Sequence, residues 1–203
     1  MRIAPFILIL ISFASLPAQT LMRASGKLIA APAASCDPSA THAFACGDLR
    51  LVSSTIDLSA FVGRVVDVGG MPSIVPGCGI TLRVSEIADS TAKLSTFALG
   101  GYRIGRTVTL LTQAPVGSIV VQLFSPGPGM IPALWFGTLF LDPFGLERYA
   151  FDVGLGIPLP RFFRIPNDPV LIGLEPQFQA VVVDPADPLS AHLSNDACFT
   201  IGG

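Results

Sequence analysis

The chain is predicted to be all-β, a small β unit followed by an eight-stranded sandwich or jelly-roll-like domain. Three observations carry that expectation. Charged residues make up only 13% of the 203 positions while 51% are apolar, where about a quarter and about half are usual. Twenty glycines and 18 prolines punctuate the chain at the short intervals that frequent turns need. Few segments repeat the i, i+3, i+4, i+7 apolar spacing, which argues against a helical bundle.

Residues 1–18 have the form of a secretory signal. Arg2 supplies the positive end, Ile7 to Ile11 with Phe6 and Phe13 the short apolar run, and Leu16-Pro17-Ala18 the cleavage site. The run is shorter than the roughly 20 residues needed to span a bilayer. Residues 19–35 are rich in Ala and Ser without periodicity and read as a linker. Ala33-Ala34-Ser35-Cys36 loosely resembles a lipoprotein cleavage motif, but the stretch before it is short and broken by Pro32.

Residues 36–90 read as a compact β unit. Leu49 and Leu51 lead in, and Leu58, Phe61 and Val62 are spaced as one helical turn that Gly63 closes. Val66 and Val68 alternate toward a turn at Gly69-Gly70, residues 71–77 read as a loop, and Ile80, Leu82 and Val84 alternate as a half-buried strand. This order of strand, one-turn helix, turn, loop and strand resembles the OB type of small Greek-key barrel. That fold needs five strands, and three or four can be counted here.

From residue 91 to 203, strands recur at the spacing of a sandwich. They are expected at 93–99, 104–112, 117–124, 134–141, 147–153, 155–164, 174–183 and 197–201. The Pro-Gly run at 125–133 is expected to be a loop. The stretch 165–184 is the best patterned. Asn167 or Asp168 can cap a single helical turn, with Pro169 at its first position and Gly173 leaving it left-handed. Leu174, Phe178, Ala180 and Val182 then face one side of a strand, and Glu175, Gln177 and Gln179 the other.

Several separated motifs in this half resemble an uncharacterised all-β domain found at the C-terminal end of exported planctomycete-type and myxobacterial-type bacterial proteins. They are Gly-Arg-Thr-Val-Thr-Leu (105–110), Ile-Pro-Leu-Pro (157–160), Ile-Pro-Asn-Asp-Pro-Val-Leu-Ile-Gly (165–173), Gln-Ala-Val-Val-Val-Asp-Pro (179–185) and Leu-Ser-Asn (193–195). The resemblance implies secretion and a sandwich scaffold, and it transfers no catalytic residue.

Four cysteines in an exported chain point to disulfides. Cys46–Cys78 with Cys36–Cys198 is the expected pairing, and Cys36–Cys46 with Cys78–Cys198 its rival. Neither His42 nor His192 falls in a catalytic or zinc motif, and both read as exposed loop residues. No cofactor is expected. A net charge of −2 and the lack of basic clusters give no footprint for nucleic acid or for a polybasic membrane anchor.

Two binding patterns remain. Asp184, Asp187 and Asn195, with Asp196, offer oxygen ligands of the kind calcium takes. Trp135, Arg161, Phe163 and Arg164, with Phe136, Arg148, Tyr149 and Phe162 near them, offer an aromatic and arginine surface for a glycan or protein. The expected protein is an exported, non-enzymatic structural, surface-associated or adhesive module with an unknown protein or glycan partner. A carbohydrate-binding module at Trp135 and Arg161–Arg164 is the alternative, and a hydrolase a distant one.

Overall fold

The computed structural model describes residues 21–32, 36–46, 49–90, 95–133 and 137–203. The signal-like segment therefore lies outside the described residues, as do Trp135 and Phe136. The chain is all-β, as its composition predicts.

The first module comprises β1 (Met22–Ala30), β2 (His42–Phe44), β3 (Arg50–Val52), β4 (Val65–Val75) and β5 (Gly79–Asp89). They close into a barrel in the order β1-β2-β3-β5-β4. β4 pairs back to β1, and β3 runs parallel to β5 while the other neighbours are antiparallel. A one-turn helix at Leu58–Phe61 joins β3 to β4. Asp57 caps it by accepting from Ser59 N at 3.0 Å, and the left-handed Gly63 lies just beyond it. Five strands, this order and a helix in that connection make an OB-like Greek-key barrel.

The strands not read from the sequence are β1 and the three-residue β2, so residues 22–30 are not a linker and His42 is not in a loop. The inward positions of β1 are Met22, Ala24, Gly26 and Leu28, and two of these are too small to register as apolar periodicity. Gly26 is required, since a Cβ there would stand 2.6 Å from the Phe44 ring. The expected turn at Gly69-Gly70 is a bulge instead, where β4 shifts register against β5 and continues to Val75. A Cβ on Gly70 would strike the carbonyl of Arg83, so the close approach of the two strands depends on glycine. The expected loop at 71–77 is therefore mostly strand, and the hairpin turns at 76–78.

The second module is built from β6 (Ser95–Gly100), β7 (Thr107–Gln113), β8 (Ile119–Ser125), β9 (Pro128–Ala133), β10 (Gly137–Leu141), β11 (Glu147–Val153), β12 (Leu159–Arg164), β13 (Gln177–Asp184), β14 (Asp187–Leu193) and β15 (Ala197–Cys198). All eight expected strands are present, with β9 and β14 added. One sheet has the order β12-β7-β6, and the other β11-β8-β13-β14 with β15 also on β13. Between them lie Val108, Leu110, Ile165, Phe178, Phe199 and Ile201. The Phe178 ring sits 5.1 Å from that of Phe163 and 5.2 Å from that of Phe124. Before β13, Asp168 caps the turn Pro169–Leu171 by accepting from Val170 N at 3.0 Å, and Gly173 follows in a left-handed conformation.

β9 and β10 form a separate hairpin, in which β9 comes from the run expected to be a loop and β10 from the strand expected at 134–141. It joins the modules. Phe140 on β10 is fully buried in the barrel core with Leu28, Phe44, Leu49 and Leu51. Its ring meets that of Phe44 edge-on at 6.0 Å. The hairpin also covers the face of β13 opposite Phe178, so Gln177 and Gln179 are as buried as Phe178 and Ala180.

The cysteines pair as Cys36–Cys78 and Cys46–Cys198, neither of the pairings weighed from the sequence. Because the barrel starts at β1, Cys36 lies within it, on the β1–β2 connection beside the β4–β5 turn that holds Cys78. Cys46, on the β2–β3 connection, faces β15. With its sulfur bonded to Cys78, Cys36 offers no thiol for a lipid. On the chain-entropy model, loops of 42 and 152 residues are worth about 4 and about 5 kcal/mol.

Truncating Phe140 removes a ring from the barrel although the residue belongs to the second module. Phe140→Ala is expected to cost about 3–5 kcal/mol in urea unfolding, with barrel and sandwich probes shifting together. Non-reducing peptide mapping is expected to recover Cys36 linked to Cys78 and Cys46 linked to Cys198.

Candidate functional site

Two buried faces meeting along β13 leave polar groups that need partners. Gln179 supplies most of them. Its Oε1 accepts from Phe140 N at 2.9 Å, and its Nε2 donates to Thr138 O at 3.0 Å and to Ser194 O at 2.8 Å. Thr138 Oγ1 in turn donates to Arg23 O on β1 at 2.7 Å. A single amide thus ties β13 to the hairpin and to the end of β14, and the next residue along ties the hairpin to the barrel.

A second network lies beside it. Asn195 Oδ1 accepts from Thr96 N at 3.0 Å while its Nδ2 donates to Thr96 O at 2.8 Å, so the side chain imitates a paired strand. Thr96 Oγ1 donates to Ser194 Oγ, which also accepts from Ala180 N. Asp196 is the exception. It is buried, both carboxylate oxygens lack a hydrogen-bond partner, and burial pushes its carboxyl well above the ordinary range.

Two clefts open along the seam. The first, about 500 Å³, lies between the β1–β3 side of the barrel and the edge of the sandwich at β13 and β15. Ile29, Ala43 and Pro128 give it apolar walls, and Arg50, Glu175 and Gln177 its polar groups. Cys36 and the Cys46–Cys198 bridge stand on its lining. Arg50 Nη1 donates to Cys78 O, and Glu175 Oε1 accepts from Thr200 Oγ1 at 3.1 Å. Buried Gln177 Oε1 has no hydrogen-bond partner. In the β1–β2 connection, hydrogen bonds from Ser39 and Thr81 hold the Asp37 carboxyl below its ordinary pKa.

The second cleft, about 640 Å³, is on the other side of the seam, with Arg23, Asp67 and Glu86 from the barrel facing His192 and Ser194. Ser25 Oγ donates to Asp67, and Arg23 approaches Glu86 at 3.9 Å in solvent. Among the described residues no hydrogen bond links His192 to an acid or a hydroxyl.

Sequence-predicted residues are scattered. His192 is exposed, but on strand β14 instead of a loop. His42 is buried in β2, with Nδ1 2.9 Å from Thr41 Oγ1, and burial lowers its pKa. Asp184 and Asp187 face each other at the β13–β14 turn, whereas Asn195 lies beyond the far end of β14 with its buried amide spent on the backbone of Thr96. Those three do not converge on one cation. Among the described residues no three His, Cys, Asp or Glu side chains are grouped to hold a metal.

The aromatic and arginine surface is also divided. Phe163 belongs to the sandwich core, Phe162 is exposed, and Arg161 is held by both carboxylate oxygens of Asp152 on β11. Arg164 stays in solvent. Comparisons of this chain with protein-family models, with curated proteins and with solved structures find no match. Fold and seam together define an OB-like barrel fused to a β-sandwich through a shared hairpin.

Period two puts Gln177 and Gln179 on one side of β13 but does not reveal what covers that side. Their roles are separable. Gln179→Leu strands three buried backbone groups and is expected to cost at least about 2 kcal/mol, with Gln177→Leu clearly milder in the same urea titrations.

Asp196 supplies a pH test. Its folded pKa lies above the unfolded value, so its contribution is complete below about pH 4 and declines as pH rises toward the folded pKa. The limiting slope for one proton is about 1.4 kcal/mol per pH unit. Asp196→Asn is expected to remove that decline, seen as a difference in melting temperature from the parent chain that widens between pH 4 and pH 8.

Proposed function

We propose that this protein is an exported, non-enzymatic binding or structural module, working at or beyond the cell surface as one rigid body. The observation that carries the reading is the Cys46–Cys198 bridge across the seam. A covalent link between two modules persists only where thiols stay oxidised, and here it fixes the barrel against the sandwich edge. All four cysteines are paired, and no helix among the described residues is long and apolar enough to cross a membrane. The likeness of residues 95–203 to domains of exported bacterial proteins supports the same compartment. Buried polar atoms of Gln179, Asn195, Ser194 and Thr96 are consumed in holding strands together. That is the economy of a scaffold.

Expression of the full chain in a bacterial host, followed by fractionation and thiol counting, tests the proposal. Recovery outside the cytoplasm, shortened near residue 18 and with no free thiol, is expected. Reduction is expected to lower the urea midpoint strongly, since two cross-links of about 4–5 kcal/mol each are comparable with a whole domain's net stability. A chain that stays cytoplasmic and is equally stable when reduced would contradict it.

A further inference from the structure

We propose that the apolar tip formed by the β7–β8 and β11–β12 turns, at one end of the sandwich, seats on the surface of a neutral lipid bilayer. This goes beyond the role proposed above, and its test does not depend on export.

The tip begins as a feature of sequence. Residues 153–160, Val-Gly-Leu-Gly-Ile-Pro-Leu-Pro, and residues 114–117, Ala-Pro-Val-Gly, contain no polar side chain. Turns between strands are ordinarily polar, and an exposed apolar run of this length is a fault unless it has a use. The fold exposes both runs side by side. Val116 is 78% exposed, Ile157 60%, Leu155 57% and Val153 54%. A Cβ on Gly156 would stand 2.9 Å from the Val116 side chain, so the two runs touch. Phe151, also exposed, continues the apolar surface along β11.

The two turns are built as one rigid piece. Gly117 N donates to Gly154 O at 2.9 Å, Gly154 N to Ser118 O at 2.8 Å, and Gly156 N to Ala114 O at 3.1 Å. Ser118 Oγ donates to Pro115 O at 2.7 Å. A Cβ on Gly154 would strike Pro115 O, so this close approach of the two backbones requires glycine.

The chemistry of the tip selects lipid. Hydrocarbon tolerates backbone only where its polar groups are satisfied within the protein. Here three glycine N–H groups bond from one turn to the other, and Pro115, Pro158 and Pro160 have no N–H to satisfy. A protein partner ordinarily adds about one hydrogen bond per 100–200 Å², and these side chains offer none. The projecting area, on the order of a few hundred Å², also falls short of the roughly 800 Å² per partner that a stable dimer buries. Charge then selects neutral lipid. Ile119, the first residue of β8, pairs with Val153 on one side and Val183 on the other, which puts Asp184 and Asp187 at this same end. Arg161 is already held by Asp152. Among the described residues, nothing at this end attracts anionic headgroups.

The test is flotation of the oxidised full chain with phosphatidylcholine vesicles. Half of the protein is expected to bind at roughly 1 mM accessible lipid, more weakly than a single myristoyl chain at roughly 0.1 mM. Leu155→Gln combined with Ile157→Gln is expected to weaken binding at least about tenfold, and Val116→Gln about threefold. Phe144→Gln, fully exposed on the β10–β11 turn, is expected to bind as the parent does. Phosphatidylglycerol vesicles are expected to bind no better, and about 1 M salt is expected not to release the protein. Four results would overturn the assignment. They are no flotation at about 10 mM lipid, unchanged binding in both tip variants, binding that needs phosphatidylglycerol and is lost in salt, and a dimer that the tip variants dissolve without any lipid binding.

Discussion

The side-chain amide of Gln179 is the interaction on which the arrangement of the two modules depends. A strand buried on both faces usually carries apolar residues throughout, and β13 instead places two glutamines on the side that meets the hairpin. A buried amide left unanswered costs more than its hydrogen bonds return. Gln179 meets that demand with three bonds, two of which fix β10 and the third the end of β14. With β10 fixed there, Phe140 points into the barrel and completes a core that the barrel's short β2 and β3 do not close alone.

This constraint also shapes the two clefts of the seam. The hairpin and the Cys46–Cys198 bridge hold the modules together along one line, and the clefts open on either side of it. Rigidity comes from the staples, and polarity from residues that strand alternation delivers to the interface. The aromatic cluster around Phe178, by contrast, is consumed in sandwich packing.

Much of the fold was legible in the sequence, and the failures share one cause. Strands with strong alternation, such as the one around Leu82 or the one around Val182, declare themselves through period two. Both one-turn helices declared themselves, the first through the spacing of Leu58, Phe61 and Val62 before Gly63, the second through Asn167 or Asp168 as a cap, Pro169 and Gly173. β1 hid because its inward Ala24 and Gly26 are small, Gly26 to clear the Phe44 ring. β9 hid because proline and glycine, ordinarily turn formers, here sit in a two-stranded hairpin. The disulfide pairing failed with β1, since without that strand Cys36 stands at the start of the unit instead of on a connection beside Cys78. The seam residues were beyond sequence reading altogether, because nothing local distinguishes a glutamine facing water from one facing a second module.

Native-state hydrogen exchange of the oxidised chain, at denaturant concentrations below the unfolding transition, tests the claim of a single body most directly. The slowest amides of β4 and β5 are predicted to exchange with the same opening free energy as those of β8 and β13, because Phe140 and Gln179 make the two cores interdependent. A barrel that opens at a free energy well below that of the sandwich would show two independent modules joined only by a disulfide, and the account would fail.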